Sequence, residues 1–397
     1  MKLHDFFFWS AVFFLIGIFF ASLTTPTGAI IAAALLAAIF LYFDRRQLAL
    51  LALLAILGSG YYFTFDYLEK RQPLEATGIA VNVKQHLNYQ ELILDNKLKV
   101  ITGRHPQYYY GDEIIARGEI KKSRSPLLRG VMSYPEIEII DTDAGHPLKA
   151  ALVKLRLAFE NNLKNILPQE KSALLSGLTV GTTGEISKNF NEEMKASGTT
   201  HITALSGQNL AIITGALGAV FNFWLILLLI IAFVIMTGAE ASLVRAAIMG
   251  TAGLLANRME RPHSFRSIIT LAALVMVIFD PKILTFDLGF QLSFLAALGL
   301  TYIQSPTKNK LVNKYIWPTV AAQAAVLPLL LIKFSRFNPL SIIANVLIAP
   351  VIPLTMGLGL AAGAAGFIFQ PLALFLAWFA NIFLSYEMAI IRIFAGG

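Results

Sequence analysis

FFFWSAVFFLIGIFFASL, residues 6–23, contains no charged side chain. A helix needs about 20 consecutive apolar residues to cross the hydrocarbon core of a bilayer. Residues 28–43 and 47–64 repeat the pattern after short connections, so the first 65 residues read as three transmembrane helices. A cleaved signal peptide is the rival for the first run, but two further apolar runs follow at once and no convincing A-x-A site precedes them. With Lys2 on the cytoplasmic side, the uncharged SLTTPTG (22–28) faces outward and Asp44-Arg45-Arg46 returns inside, where Lys and Arg are in excess. The segment after Phe65 is therefore expected on the extracytoplasmic face.

Composition supports the bilayer as solvent. Of 397 residues, 56% are hydrophobic and only 14% charged, against about 25% charged in an average soluble protein. A mean hydropathy of +0.65 and 29 phenylalanines exclude an ordinary soluble domain. With no cysteine there are no disulfides, thiolate metal sites or Cys nucleophiles. The six histidines are scattered singly, so no metal and no cofactor is expected. The net charge of +8 is weak evidence for DNA, because residues 66–150 carry 12 basic and 12 acidic side chains while residues 201–397 carry 11 and 5. That excess sits in short loops between apolar runs, where it orients helices.

Residues 72–142 change rhythm: GIAVNVK, ELILD, KLKVI, DEIIARGEI and PEIEII alternate apolar and polar positions between Gly, Asn, Pro and Asp. Five such runs suit an OB-like five-stranded barrel, and a simple β-sandwich fits nearly as well. From Pro147 to Leu167, Leu152, Leu155, Phe159, Leu163 and Ile166 recur at helical spacing with Lys154, Glu160, Asn161 and Lys164 between them. This is an amphipathic helix expected to lie on the membrane surface. GLTVGTTGEIS (177–187) reads as a Gly/Thr turn region, and 188–197 as a short polar helix. Spans are expected near 200–220, 223–237, 241–256, 266–279, 286–303, 315–332, 339–368 and 372–394, with Pro350 and Pro353 breaking the long one. The loops at 258–266 and 308–314 then fall inside with their basic residues, whereas Lys333 and Arg336 run against the rule. The organisation is three spans (1–65), an extracytoplasmic OB-like domain (66–146), an amphipathic helix and connecting segment (147–199), and a membrane domain (200–397), about eleven transmembrane helices in all.

SGTTHITALSGQN (197–209), with the upstream LLSGLTVG, resembles the signature of the ComEC competence channel family. GAEASLVRAAIM (238–249), DLGFQLSFLA (287–296) and AAQAAVLPLLLIKFSRFNPLSIIANVLIAPVIP (321–353) resemble further segments of that family, in the same order. YGDEIIARGEI (110–120) and VMSYPEIEII (131–140) resemble its OB-like domain. The resemblance implies a multi-pass bacterial inner-membrane channel that takes up single-stranded DNA during natural transformation. It implies a DNA receptor, a cytoplasmic ATP-driven motor and a separately encoded nuclease as partners. Family members commonly have His where this chain has Asn209. Longer members continue into a metallo-β-lactamase-like domain, whereas this sequence closes on RIFAGG, so a short form without nuclease chemistry is expected.

On the matching segments, His201, Ser206, Gln208, Asn209, Arg245, Asp287, Gln291, Ser293, Gln323 and Asn345 are candidates for lining the DNA path. Polar groups at membrane depth are costly unless they pair or line a wet cavity. The competing reading is packing, in which Ser, Gln and Asn bond across helices for about 0.6–2 kcal/mol each. A Ser206–His201 hydrolase is disfavoured, since five residues separate the two on a helix and no Gly-x-Ser-x-Gly elbow is present. In the β-rich segment, Arg104, Tyr108, Tyr110, Lys121, Lys122, Arg124 and Arg129 combine aromatic and basic groups suited to bases and phosphates. A transporter of another anionic polymer or a lipid-linked glycan is the alternative. Cysteines introduced singly at Asn82 and Lys122 are expected to react with an impermeant thiol reagent in intact cells; protection at both sites would place this segment on the other face.

Overall fold

The computed structural model describes residues 3–25, 28, 46–71, 75–205, 207–218, 222–259, 264–310, 312–334, 338 and 340–396. The expected second span, 28–43, lies outside the described residues beyond Gly28. In chain order the elements are α1 (Leu3–Leu23), α2 (Arg46–Arg71), β1 (Thr77–Gln85), β2 (Tyr89–Leu94), β3 (Leu98–Gly103), β4 (Glu113–Arg117), β5 (Gly130–Ser133), β6 (Glu136–Asp141), α3 (Pro147–Ile166), α4 (Gln169–Val180), α5 (Lys188–Ala196) and α6 (Gly207–Gly218). There follow α7 (Phe223–Met236), α8 (Ala241–Arg258), α9 (Phe265–Phe279), α10 (Ile283–Phe286), α11 (Leu288–Tyr302), α12 (Trp317–Phe334), α13 (Ser341–Ile348), α14 (Ile352–Ala365) and α15 (Gln370–Ala395). The chain divides into two compact units, one of residues 1–75, 123–129 and 248–291, the other of residues 76–122, 130–247 and 292–397.

Among the described residues, Phe6–Leu23, Leu50–Arg71 and Gln370–Ala395 are long and apolar enough to cross a bilayer. The α13–α14 pair adds a fourth candidate bent by 51°. Pro350 and Pro353 lie at that break, as missing backbone donors require. Five shorter apolar helices accompany them. Large side chains such as Trp224 and Phe279 stand outward on these helices, where lipid is a suitable neighbour and water is not.

In the first unit, α1 and α2 cross where small residues let the backbones meet. A Cβ on Gly17 would stand 2.0 Å from the Ala55 carbonyl oxygen, and one on Gly58 2.2 Å from that of Phe14. Ser59 Oγ donates to the Gly17 and Ala55 carbonyls at 3.0 Å each. Further along α2, Asp66 and Glu69 clasp the buried Lys282 ammonium at 2.8 and 2.5 Å. Breaking such a buried set from one side costs about 3–5 kcal/mol, since the remaining charges lose their partner.

The second unit carries a curled six-stranded sheet in the order β5-β3-β2-β1-β4-β6, antiparallel except for β3–β5. β1 pairs with β4 through Thr77–Ile79 and with β2 through Ala80–Gln85, and its register shifts between Ala80 and Asn82. Such a shift bends a strand. Ala80, Leu92, Leu94, Leu98, Val100, Ile114 and Met132 close the inner face, each large one contributing about 1.5–3 kcal/mol by its burial. The five alternating runs are five of these strands; the sixth, β5, is a four-residue piece whose pairing with β3 is non-local.

Helices α3, α4, α14 and α15 surround a core that includes Leu163, Leu174, Leu175, Leu178, Met194, Ile352, Leu384 and Met388. The segment 177–187 departs from its reading as a turn, because α4 runs through Val180 and only then turns, at the left-handed Gly181. All nine residues from Ser172 to Val180 are buried, so tertiary packing overrides the weak helix preference of Gly and Thr. Gly58→Leu is expected to lower the thermal unfolding temperature of the detergent-solubilised protein by the equivalent of about 1–3 kcal/mol. Gly60→Ala, where a Cβ meets nothing within 4 Å, is the control expected to leave it unchanged.

Candidate functional site

Two sets of polar side chains stand out in the second unit. The first is built on the segment 197–209. Ser197 and Thr199 are buried and share a hydroxyl–hydroxyl bond of 2.8 Å. Asn345 Nδ2 reaches the Gly198 carbonyl at 3.5 Å. Beyond the short 3-10 turn Thr200–Ile202, Ser242 Oγ donates to the Leu205 carbonyl at 2.5 Å. Asn209 is 3% exposed and donates to the Leu178 carbonyl of α4 at 2.7 Å. Arg245 Nε donates to Ser293 Oγ at 2.7 Å, and its guanidinium lies 5.8 Å from the Phe294 ring centroid. A Cβ on Gly207 would be 3.7 Å from Arg245 Nη2, so the start of α6 abuts the guanidinium.

The structure thus brings Arg245 and Ser293 together, 48 residues apart in sequence. Asn209 and Asn345 tie helices to backbone carbonyls. His201 is exposed. Ser206, and the side chain of Gln208, lie outside the described residues. Gln323 has a buried Oε1 without a hydrogen bond. In the first unit, Asp287 Oδ1 accepts from Phe290 N at 3.0 Å and caps α11, while Gln291 Nε2 donates to the Leu284 and Thr285 carbonyls.

The second set lines a cleft between the sheet and α3 that opens to solvent and has an inner volume of about 90 Å³. Lys149, Val153, Arg156, Leu157 and Glu160 form its helical wall; their spacing of i, i+4, i+7, i+8 and i+11 is one face of a helix. Lys149 Nζ donates to the Val81 carbonyl at 3.0 Å and lies 4.5 Å from the Tyr110 ring centroid. Burial, and then the neighbouring Arg156, hold this ammonium below its ordinary pKa. Arg156 Nη1 donates to the Met236 carbonyl at 3.3 Å, and its Nε lies 3.4 Å from Glu160 Oε1 without a hydrogen bond. That carboxylate oxygen instead accepts from Thr182 Oγ1 at 2.5 Å. Burial pushes the Glu160 carboxyl up, against the pull of Thr182 and Arg156. The amphipathic helix therefore does not turn its polar residues uniformly to water: Glu160 is 5% exposed.

Opposite stands the sheet. Gln90, wholly buried, donates to the carbonyls of Gly103, Arg104 and Pro106 and accepts from Tyr108 N and Gln85 Nε2. It holds the 103–108 loop in place. Of the expected contact residues, Tyr108 is only 3% exposed, so its ring offers little stacking face. The Tyr110 hydroxyl accepts from His146 N, and Arg104 donates to the Leu87 carbonyl. Tyr109, which also lines the cleft, is 45% exposed. Lys121, Lys122 and Arg124 are exposed on the connection to β5, and Arg129 is half-buried. Lys149, Arg156, Glu160 and Thr182 escaped the sequence reading, although the seven-residue spacing of Lys149 and Arg156 put both on one helical face.

Fold and site together define a helical protein of membrane type carrying a curled six-stranded sheet. Residues 178–397 match the Competence protein family, and the chain belongs to that family, of ComEC type. Among known proteins it is similar to the ComE operon protein 3 of Bacillus subtilis (strain 168), with 28% identity over 230 residues. The match covers 55% of this chain and 29% of that relative. No solved structure matches.

Near its start, after the end of α4, the family-matched segment makes the turn at Gly181–Gly184 that lines the cleft. A Cβ on Gly184 would fall 1.6 Å from the Gln85 carbonyl oxygen, so only glycine lets this turn lie against β1. Gly184→Ala is expected to loosen the sheet from the helices, read as faster proteolysis within residues 76–141 of the solubilised protein while the helical part stays intact.

Proposed function

We propose that the chain is a conduit passing single-stranded DNA inward across the bacterial cytoplasmic membrane, with about eleven spans and its sheet, an OB-like domain, on the outer face. Membership in a competence family supports a role in DNA uptake. The observation that carries the conduit reading is Arg245, a guanidinium on an apolar helix, joined by Ser293 and abutted by Gly207 of the family-matched segment. A cation at membrane depth marks a substrate or ion path by default. Its planar fork suits phosphate oxygens, with the Ser293 hydroxyl fixing its orientation. A channel for DNA has to bind phosphates weakly and repeatedly, since strong binding would hold the strand in place.

In this reading a receptor delivers the strand, an ATP-driven motor on the cytoplasmic side supplies the force, and a separate nuclease removes the complementary strand. We assign no strand-cleaving step to this chain. The test is internalisation of labelled DNA in cells carrying variants at normal membrane abundance. Deletion is expected to abolish uptake, and Arg245→Lys to reduce it about tenfold, the equivalent of about 1.4 kcal/mol in phosphate binding. Wild-type uptake by both Arg245→Lys and Arg245→Ala would make Arg245 a packing element, and undiminished uptake in the deletion would favour a different anionic polymer as substrate.

A further inference from the structure

We propose that the cleft between the sheet and α3 is a phosphodiester seat in which Lys149 and Arg156 hold phosphates of a single strand, and that Glu160, competing for Arg156, sets how readily they let go. This rests on the conduit reading and adds to it a place where the strand is gripped before it enters the helices.

The cleft gathers two cations, Lys149 and Arg156, with two carboxylates, Glu160 in an ion pair with Arg156 and Glu240 elsewhere in the lining. Lys149 spends its ammonium on a carbonyl and the Tyr110 ring, and no carboxylate lies within ion-pair distance of it among the described residues. Arg156 has one nitrogen on a carbonyl and a buried Nε with no hydrogen bond. The Glu160 carboxylate paired with it accepts its hydrogen bond from Thr182. A guanidinium whose Nε is ion-paired but not hydrogen-bonded can exchange that carboxylate for the paired oxygens of a phosphate. About 10 Å of helix rise separates the backbone positions of Lys149 and Arg156, which share one face of α3.

The rest of the lining fits the bases. Tyr109 lines the cleft and is 45% exposed, its hydroxyl donating to Gln107, and a base stacked on an aromatic gains about 1–3 kcal/mol. His86 stacks on Tyr89 with ring centroids 4.3 Å apart, and its buried Nε2 has no partner. Burial lowers the pKa of that imidazole, which favours its role as a hydrogen-bonding edge over that of a phosphate cation. These base-sized features favour a nucleic-acid strand over a lipid headgroup as the source of the phosphate. Glu160, 3.4 Å from the Arg156 fork, repels an arriving phosphate and re-pairs with Arg156 when it leaves. A reversible counter-charge of this kind is what transit, as opposed to capture, requires.

The experiment uses the full chain in nanodiscs of zwitterionic lipid, titrated with a fluorescent oligothymidylate at several salt concentrations. Lys149→Gln and Arg156→Gln are each expected to weaken binding about tenfold and to lower the salt slope of log K by about 1. Lys149→Arg is expected to restore it, and Glu160→Gln to tighten binding several-fold, a gain that misfolding does not produce. Wild-type affinity and slope in both cation variants, or weaker binding in Glu160→Gln, would overturn the proposal. So would phosphatidylglycerol in the nanodisc displacing the oligonucleotide from the wild-type chain but not from Arg156→Gln, since the seat would then hold a lipid phosphate. If DNA uptake depends on Arg245 while the cleft variants bind normally, the seat alone falls; if the wild-type chain binds no oligonucleotide and its deletion leaves uptake intact, the conduit reading falls and the seat with it.

Discussion

A short helix with no exposed face organises the second unit. From Ser172 to Val180, α4 is buried on every side, so its neighbours are fixed by what it needs covered. A Cβ on Gly359 would press on Leu175, and one on Gly177 would stand 2.9 Å from Thr203 Cβ. Its Leu178 carbonyl receives Asn209 from the start of α6, and the turn at its end supplies Thr182 to Glu160 and lies against β1. The apolar core, the signature segment and the cleft are all positioned from this one element. Interiors packed to crystal-like density transmit small displacements, which is why substitutions in α4 reach all three.

Burying so many polar groups has to be matched by partners, because an unsatisfied buried donor or acceptor costs about 1–3 kcal/mol. Gln90 meets this requirement in the sheet, and Asn209, Ser197 and Thr199 meet it among the helices. In α15, Glu387 is 1% exposed and accepts from Thr355 Oγ1 at 2.6 Å with one oxygen, leaving the other without a hydrogen bond. At the two cation sites, Arg245 has the Ser293 hydroxyl among its partners, and Arg156 combines a backbone carbonyl with an ion pair to Glu160.

How much was legible follows from the range of the interactions involved. The apolar runs, the alternating strands, the amphipathic helix and the proline break between α13 and α14 are local patterns, and the sequence by itself determined them, because lipid and pleat impose periods of composition that no distant contact is needed to reveal. The candidate Arg245 was legible for the same reason: a lone cation in an apolar run is conspicuous. Only the tertiary structure decided that Ser293 is its partner, that α4 is a helix through Gly177 and not a turn, that the Tyr108 ring is largely buried while Tyr109 is open, and that Lys149, Arg156, Glu160 and Thr182 share one cleft. Each of these depends on a contact between segments far apart in sequence, or on burial from several sides at once, and neither composition nor periodicity records which distant surface a residue meets.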